Sequence, residues 1–248
     1  MTLPFTKPVK VLLLDIEGTT TPIDFVYNIL FPYARRHVKA YLDEHARAAD
    51  LQADIHGLLD ENSDDGRRGL NPPPIDPARQ VLTDQLAAYV YGLRDRDRKS
   101  TPLKSLQGKI WEAGYKTGDL RSQVFKDVPT AFKRWREQAR FVCIYSSGSV
   151  LAQKLLFAHT EAGNLTGFIR DYFDTNIGAK QDAGSYLRIA AQLERQPPEI
   201  VFVSDRIVEL DAAASAGLEV ILCVRPGNDP ESSPFNRDVV YSFDVILP

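Results

Sequence analysis

VLLLDIEGTT, residues 11–20, runs from four consecutive aliphatic residues straight into Asp15-Ile16-Glu17-Gly18-Thr19. An uninterrupted apolar run led in by Val9 reads as a strand buried on both faces, the kind that parallel sheets contain. Two acids one residue apart, followed by glycine, then stand where that strand ends. In open α/β sheets ligands bind at the carboxyl ends of strands. Carboxylates there can hold a hard cation, attack an electrophile or move a proton, although an acid after a strand also serves as a simple cap.

Working outward, buried-strand runs recur at 141–145 (FVCIY), 200–203 (IVFV) and 219–224 (EVILCV), with a weaker one at 168–173. Helical periodicity separates them at 129–139, 149–158 and 184–194, with Pro129 at a helix start. Strands alternating with such helices predict an α/β fold built on a doubly wound parallel sheet. Residues 23–125 differ. They carry helical periodicity at 25–48 and 76–93, broken by ENSDDGRRGLNPPPIDP at 61–77 and RDRDRKSTP at 94–102. This stretch reads as a mostly helical insertion after the first strand, between core segments 1–22 and 126–248. RDRDRK reads as a solvated face.

The bulk properties exclude several classes. With 248 residues, 44% hydrophobic and 25% charged, the chain has the composition of a soluble globular protein. A net charge of -3 gives no general attraction to nucleic acid or anionic membranes. No apolar run approaches the roughly 20 residues of a bilayer span. The N-terminus lacks the apolar core and cleavage site of a secretory signal. Cys143 and Cys223, in strand-like runs, read as buried reduced thiols. A cytoplasmic location is expected, with a nuclear one also compatible in a eukaryotic source.

Three further strand ends carry chemistry. Ser146-Ser147-Gly148-Ser149 opens a helix, offering hydroxyls and backbone N–H groups to an anion or simply capping the helix. Lys180 follows the weak strand and could reach a phosphate as a point charge. Asp205 follows IVFV, with Glu209 one helical turn on and Gly217 as a helix stop. Carboxylates with carbonyls and water are a Mg²⁺ ligand set rather than a zinc one. His37, His45, His56 and His159 are scattered over helical segments and offer no competing site.

In that order, the four elements resemble the motifs of the haloacid dehalogenase-like phosphohydrolase superfamily, with the insertion where that superfamily carries a cap. DIEGTTTPIDFVYNILFPYAR (15–35), YSSGSVLAQKLLF (145–157) and SDRIVELDAA (204–213) are similar to its enolase-phosphatase branch, which serves methionine salvage. Glu17, where most relatives carry Asp, marks that branch; Arg206 and Ile207 depart from its pattern. The resemblance implies an enzyme that enolises 2,3-diketo-5-methylthiopentyl-1-phosphate and then removes its phosphate to give an acireductone. It implies Asp15 as nucleophile, Glu17 as acid/base, and Ser146, Ser147 and Lys180 on the phosphoryl group. Thr19, Gly148 and Glu209 would support the site. One Mg²⁺ per subunit would be held by Asp15, Asp205 and the Glu17 carbonyl. Tyr27, Arg35, Lys109 and Trp111 are cap candidates, Trp111 more naturally as core. The expected partner is a small phosphorylated molecule, with no nucleic acid and no membrane, and the expected state is a monomer. Alternatives are a capped phosphatase of the same superfamily on another phosphate ester, or a non-catalytic phospho-acceptor or binding module. Receiver-type phospho-acceptor domains lack an insertion after the first strand, which disfavours them.

Overall fold

The first strand forms where the aliphatic residues are densest. In the computed structural model, which describes residues 5, 8–76, 82–96, 98, 100–228 and 238–248, β1 is Val11–Leu14 with all four side chains buried. β2 (Phe141–Tyr145), β3 (Ile169–Phe173), β4 (Ile200–Ser204), β5 (Glu219–Cys223) and β6 (Asp238–Val240) join it in one sheet. Among the described residues the order is β3-β2-β1-β4-β5-β6, and every pairing is parallel. β6 was not anticipated, because three residues are too short a run to stand out.

The expected α/β doubly wound sheet is therefore present. The chain steps outward from β1 through β2 to β3, then returns to β4 on the other side of β1. Strand order reverses between β1 and β4, and that switch point is where such sheets open a crevice. Leu14 lies in register with Ile144 and Val203. Asp15 thus leaves the sheet between the ends of β2 and β4, its N–H donating to Val203 O at 3.0 Å.

The chain divides into two compact units, Met1–Asn28 with Arg121–Pro248, and Ile29–Leu120. The second is helical: α1 (Phe31–His45), α2 (Ala49–Arg67), α3 (Leu82–Asp95) and α4 (Thr101–Thr117). A π-helical turn at Phe25–Leu30 leads into α1. Two expectations of broken structure are corrected here. α2 continues through the polar stretch to Arg67 because Asn62 and Asp65 turn inward, and the helix ends before Gly69 at φ 72°. The rest of the breaker-rich stretch is irregular to residue 76, beyond which lie residues outside those described. In 94–102, α3 runs on to Asp95, and Ser100 caps α4 by accepting the Leu103 N–H at 3.2 Å.

The interior of the helical unit is partly polar. Asp65 is fully buried and accepts from Tyr89 Oη at 2.8 Å and from Arg98. Arg98 thus leaves the solvated face assigned to RDRDRK and neutralises a buried acid, as buried charges require. Lys109 is likewise paired with Asp54 and donates to Asp50 O at 2.8 Å, so this cap candidate is held inside its own unit. Arg35 pairs with Asp95 at 2.6 Å. Trp111 is buried, with Nε1 donating to Leu30 O at 2.9 Å, the core role foreseen for it.

In the sheet unit, α5 (Val128–Glu137) leads into β2, while α6 (Val150–Ala158), α7 (Ala183–Gln192) and α8 (Ile207–Ser215) come after β2, β3 and β4 in turn. α7 and α8 pack Tyr186, Ile189, Leu210 and Ala213 against β1 and β4. α5 buries Phe132 and Trp135, and Trp135 Nε1 donates to Ile246 O at 2.9 Å.

Asp127 ties this unit together. It accepts from Arg225 Nη1 at 2.8 Å, from Ser242 Oγ at 3.1 Å and from the Phe243 N–H. Burial would raise its pKa, but the Phe243 N–H and the Arg225 guanidinium hold the carboxyl below its ordinary value. A depressed pKa contributes stability above the unfolded value that is lost as pH falls through the native one. Asp127→Asn is therefore expected to lower unfolding stability at pH 7 by about 2–3 kcal/mol, the scale for a charged partner lost to a buried guanidinium. The difference from the unmodified protein should begin to narrow as pH falls below about 4 and close only below the native value. Urea titrations at pH 7 and pH 3.5 check both points.

Candidate active site

Asp15 is buried at the end of β1, and three groups fix its carboxylate. Oδ1 accepts from the Ile16 N–H at 2.7 Å and from Lys180 Nζ at 2.7 Å. Oδ2 lies 3.2 Å from Ser204 Oγ at the end of β4. The Ser204 hydroxyl is also 3.1 Å from Glu209 Oε2 and itself accepts from the Arg206 N–H at 3.1 Å. Lys180 Nζ completes the ring with a 2.6 Å contact to Glu209 Oε2. The ends of β1 and β4, the first turn of α8 and the loop after β3 thus meet around one ammonium group.

Burial would lower the Lys180 pKa, but Asp15 and Glu209 more than reverse this, and the ammonium is held charged. Burial pushes the Glu209 carboxyl up, and the Asp15 charge adds to that. Burial and Asp15 also push Asp205 up, to about 7. Three acids around one ammonium leave the site under-neutralised. The donors are all oxygens, with no histidine or cysteine, which suits a hard divalent cation. Among the described residues no three His, Cys, Asp or Glu side chains form a complete metal cage. Mg²⁺ takes one or two carboxylates and fills its remaining positions with water and substrate phosphate, and the Asp15 and Asp205 carboxylates are donors of that kind.

The turn after β1 is built for close approach. The N–H groups of Thr19, Thr20 and Thr21 all point to Ile16 O, and Gly18 N–H donates to Thr21 O at 2.8 Å. Gly18 has φ 69°, and a Cβ there would overlap Asp205 Oδ2. Thr19, expected to support Asp15, is buried with its hydroxyl unpaired; Thr20 Oγ1 instead donates to Asp15 O at 3.1 Å. Thr20 was missed because three successive threonines cannot be ranked without the turn's geometry.

Lys180 rides on a loop held by its carbonyls. Ile177 O accepts from Arg188 Nε (2.6 Å), Gly178 O from Tyr145 Oη (2.9 Å), Ala179 O from Ser185 Oγ (2.8 Å) and Lys180 O from Tyr186 Oη (2.7 Å). The rings of Tyr145 and Phe202 each lie 5.9 Å from the Lys180 ammonium. These aromatics read only as core in the sequence.

At the end of β2, Ser146 is buried and its Oγ accepts the Gly148 N–H at 3.1 Å. Ser147 is exposed. Ser149 caps α6 by accepting the Ala152 N–H at 3.3 Å, so within the serine run the capping role falls on Ser149. Asn228, absent from the sequence reading, donates to Gly18 O at 2.8 Å and to Asp205 Oδ2 at 3.3 Å.

A buried carboxylate held by an ammonium at a parallel-sheet switch point suits phosphoryl chemistry, and the known proteins agree. The haloacid dehalogenase-like hydrolase pattern matches residues 9–217. The chain belongs to that family of hydrolases. It is 48% identical to enolase-phosphatase E1 of Synechococcus elongatus, over 91% of this chain and 93% of the relative. Enolase-phosphatase E1 of Drosophila melanogaster is 44% identical over 88% of this chain and 84% of its own. The crystal structure of the UTR4 protein of Saccharomyces cerevisiae superposes with a TM-score of 0.78 at 33% identity, covering 96% of this chain and 100% of that one. The expected fold and superfamily are thereby established.

The acids give a testable pH dependence. Carboxyls raised in the folded state contribute stability that is present at low pH and lost as pH rises through the folded value, here about 7 for Asp205. Cation-free protein should therefore lose thermal stability between pH 5.5 and pH 8. Added Mg²⁺ should raise the unfolding midpoint more at pH 8 than at pH 5.5. Melting curves in EDTA and in Mg²⁺ at both values check this, and equal stabilisation at both would contradict it.

Proposed function

We propose that this protein is the enolase-phosphatase of methionine salvage, converting 2,3-diketo-5-methylthiopentyl-1-phosphate to its acireductone and phosphate. The observation that carries this reading is the Asp15 carboxylate. It is buried, bonded through Oδ1 to Lys180 and the Ile16 N–H, and set at the end of β1 in a chain 48% identical to an enolase-phosphatase E1.

In this reading Asp15 attacks phosphorus. A bond forms between its carboxylate oxygen and phosphorus while the bond from phosphorus to the enol oxygen breaks. Glu17 gives its proton to that oxygen. Water then attacks the aspartyl-phosphate, Glu17 takes its proton, and phosphate leaves with Asp15 restored. Lys180 has three donors, of which Asp15 and Glu209 use two; the third serves a phosphoryl oxygen. Ser146 and the Ser147 N–H hold the others, where positioning and charge do most of the work. Asp15, Asp205 and the Glu17 carbonyl would hold one Mg²⁺, which supplies charge neutralisation to the phosphoryl group and the enediolate. The Gly18 turn and Glu209 keep these groups in place. The four-helix unit is read as the cap, and a chain carrying both units supports a self-sufficient monomer. No helix among the described residues is long and apolar enough to cross a membrane, which is compatible with a cytoplasmic enzyme.

The test is Mg²⁺-dependent phosphate release from the diketo phosphate, with a transient enol absorbance before the acireductone. Asp15→Asn should fall to about 10⁻⁴ of the original turnover or below, the scale of removing a covalent nucleophile. Glu17→Gln should lower kcat by roughly 10²–10⁴. Equal turnover of plain sugar phosphates would remove the enolase half and leave a general phosphatase of the same family.

A further inference from the structure

The loop after β5, residues 225–228, reaches back to the acid-bearing turn with two side chains. Arg225 Nε donates to Thr19 O at 3.1 Å. Its guanidinium is anchored by Asp127 and by Tyr241 O at 3.1 Å, and lies 4.5 Å from the centres of the Phe125 and Phe243 rings. Three residues on, Asn228 Nδ2 bonds both Gly18 O and Asp205 Oδ2. A carbonyl and a carboxylate are both acceptors, so the amide must present its nitrogen to them. A Cβ on Gly18 would overlap Asp205 Oδ2 and stand 2.9 Å from Asn228 Nδ2, so the three groups are packed as one unit.

We propose that Asn228 is a positioning residue for the divalent cation. It holds Asp205 by Oδ2 alone, ties that carboxylate to the Gly18 turn, and fixes the distance between the Asp15 and Asp205 sides of the site. The inference rests on Asp205 being a cation ligand, as assigned above. An outer-shell donor of this kind, when removed, typically weakens metal affinity 10–100-fold. It acts before chemistry, so the effect belongs to cation binding in the absence of substrate.

The probe is Mn²⁺ binding to the full-length, substrate-free protein, followed by the electron paramagnetic resonance signal of free Mn²⁺. Asn228→Ala should weaken binding about 10-fold or more. Asn228→Ser, which keeps a shorter donor, should fall between it and the unmodified protein, and carries the test if the alanine variant does not fold. A merely structural role would lower the unfolding midpoint in EDTA and leave Mn²⁺ affinity unchanged in the folded variants; that result overturns the proposal. Failure of the unmodified protein to bind Mn²⁺ would instead overturn the cation assignment itself, and this inference with it.

Discussion

The Lys180 ammonium, shared between Asp15 and Glu209, is the interaction on which the site depends. Two carboxylates brought together out of water repel and are desolvated. One buried cation between them, with Ser204 bridging on the far side, makes the pair tolerable. The groups come from four places in the chain: the end of β1, the end of β4, α8 and the loop after β3. Only a parallel sheet whose order reverses between β1 and β4 brings those ends to one edge. Fold and site are therefore one electrostatic problem solved together.

The same arrangement distinguishes three neighbouring acids. Asp15 has its oxygens fixed by an N–H, an ammonium and a hydroxyl, which sets the orientation of its carboxylate. Glu209 is occupied by Lys180 and Ser204. Asp205 has an amide on one oxygen and is burdened by burial and by Asp15, the condition a divalent cation relieves. Three carboxyl groups thus sit in distinct states because their surroundings differ.

Much of this was legible in the sequence. Aliphatic runs report burial directly, so β1, β2, β4 and β5 were evident, and each central strand end exposed its polar residue. β6 is too short to carry a pattern. The polar second half of α2 reads as a break, because nothing local says that Asp65 is met by Tyr89 and Arg98. Ser204, Thr20 and Asn228 escaped for a related reason. Their work is done by bonds to groups distant in sequence or to backbone carbonyls, and neither has a residue pattern. The aromatic Tyr145 and Tyr186 look like core, which they are, but their hydroxyls belong to the site.

Those phenols have a consequence for how the protein tolerates change. Four successive carbonyls, from Ile177 to Lys180, are strapped by Arg188, Tyr145, Ser185 and Tyr186. The strap is anchored in the aromatic core, since Tyr145, Tyr186 and Phe202 contact one another. Core packing and lysine placement are accordingly a single mechanical element. A tyrosine-to-phenylalanine exchange preserves shape and apolar area, and a consensus-minded engineer would count it harmless. Here it removes one of the donors that hold the loop carrying the ammonium, so the core supplies hydrogen bonds to that loop as well as packing.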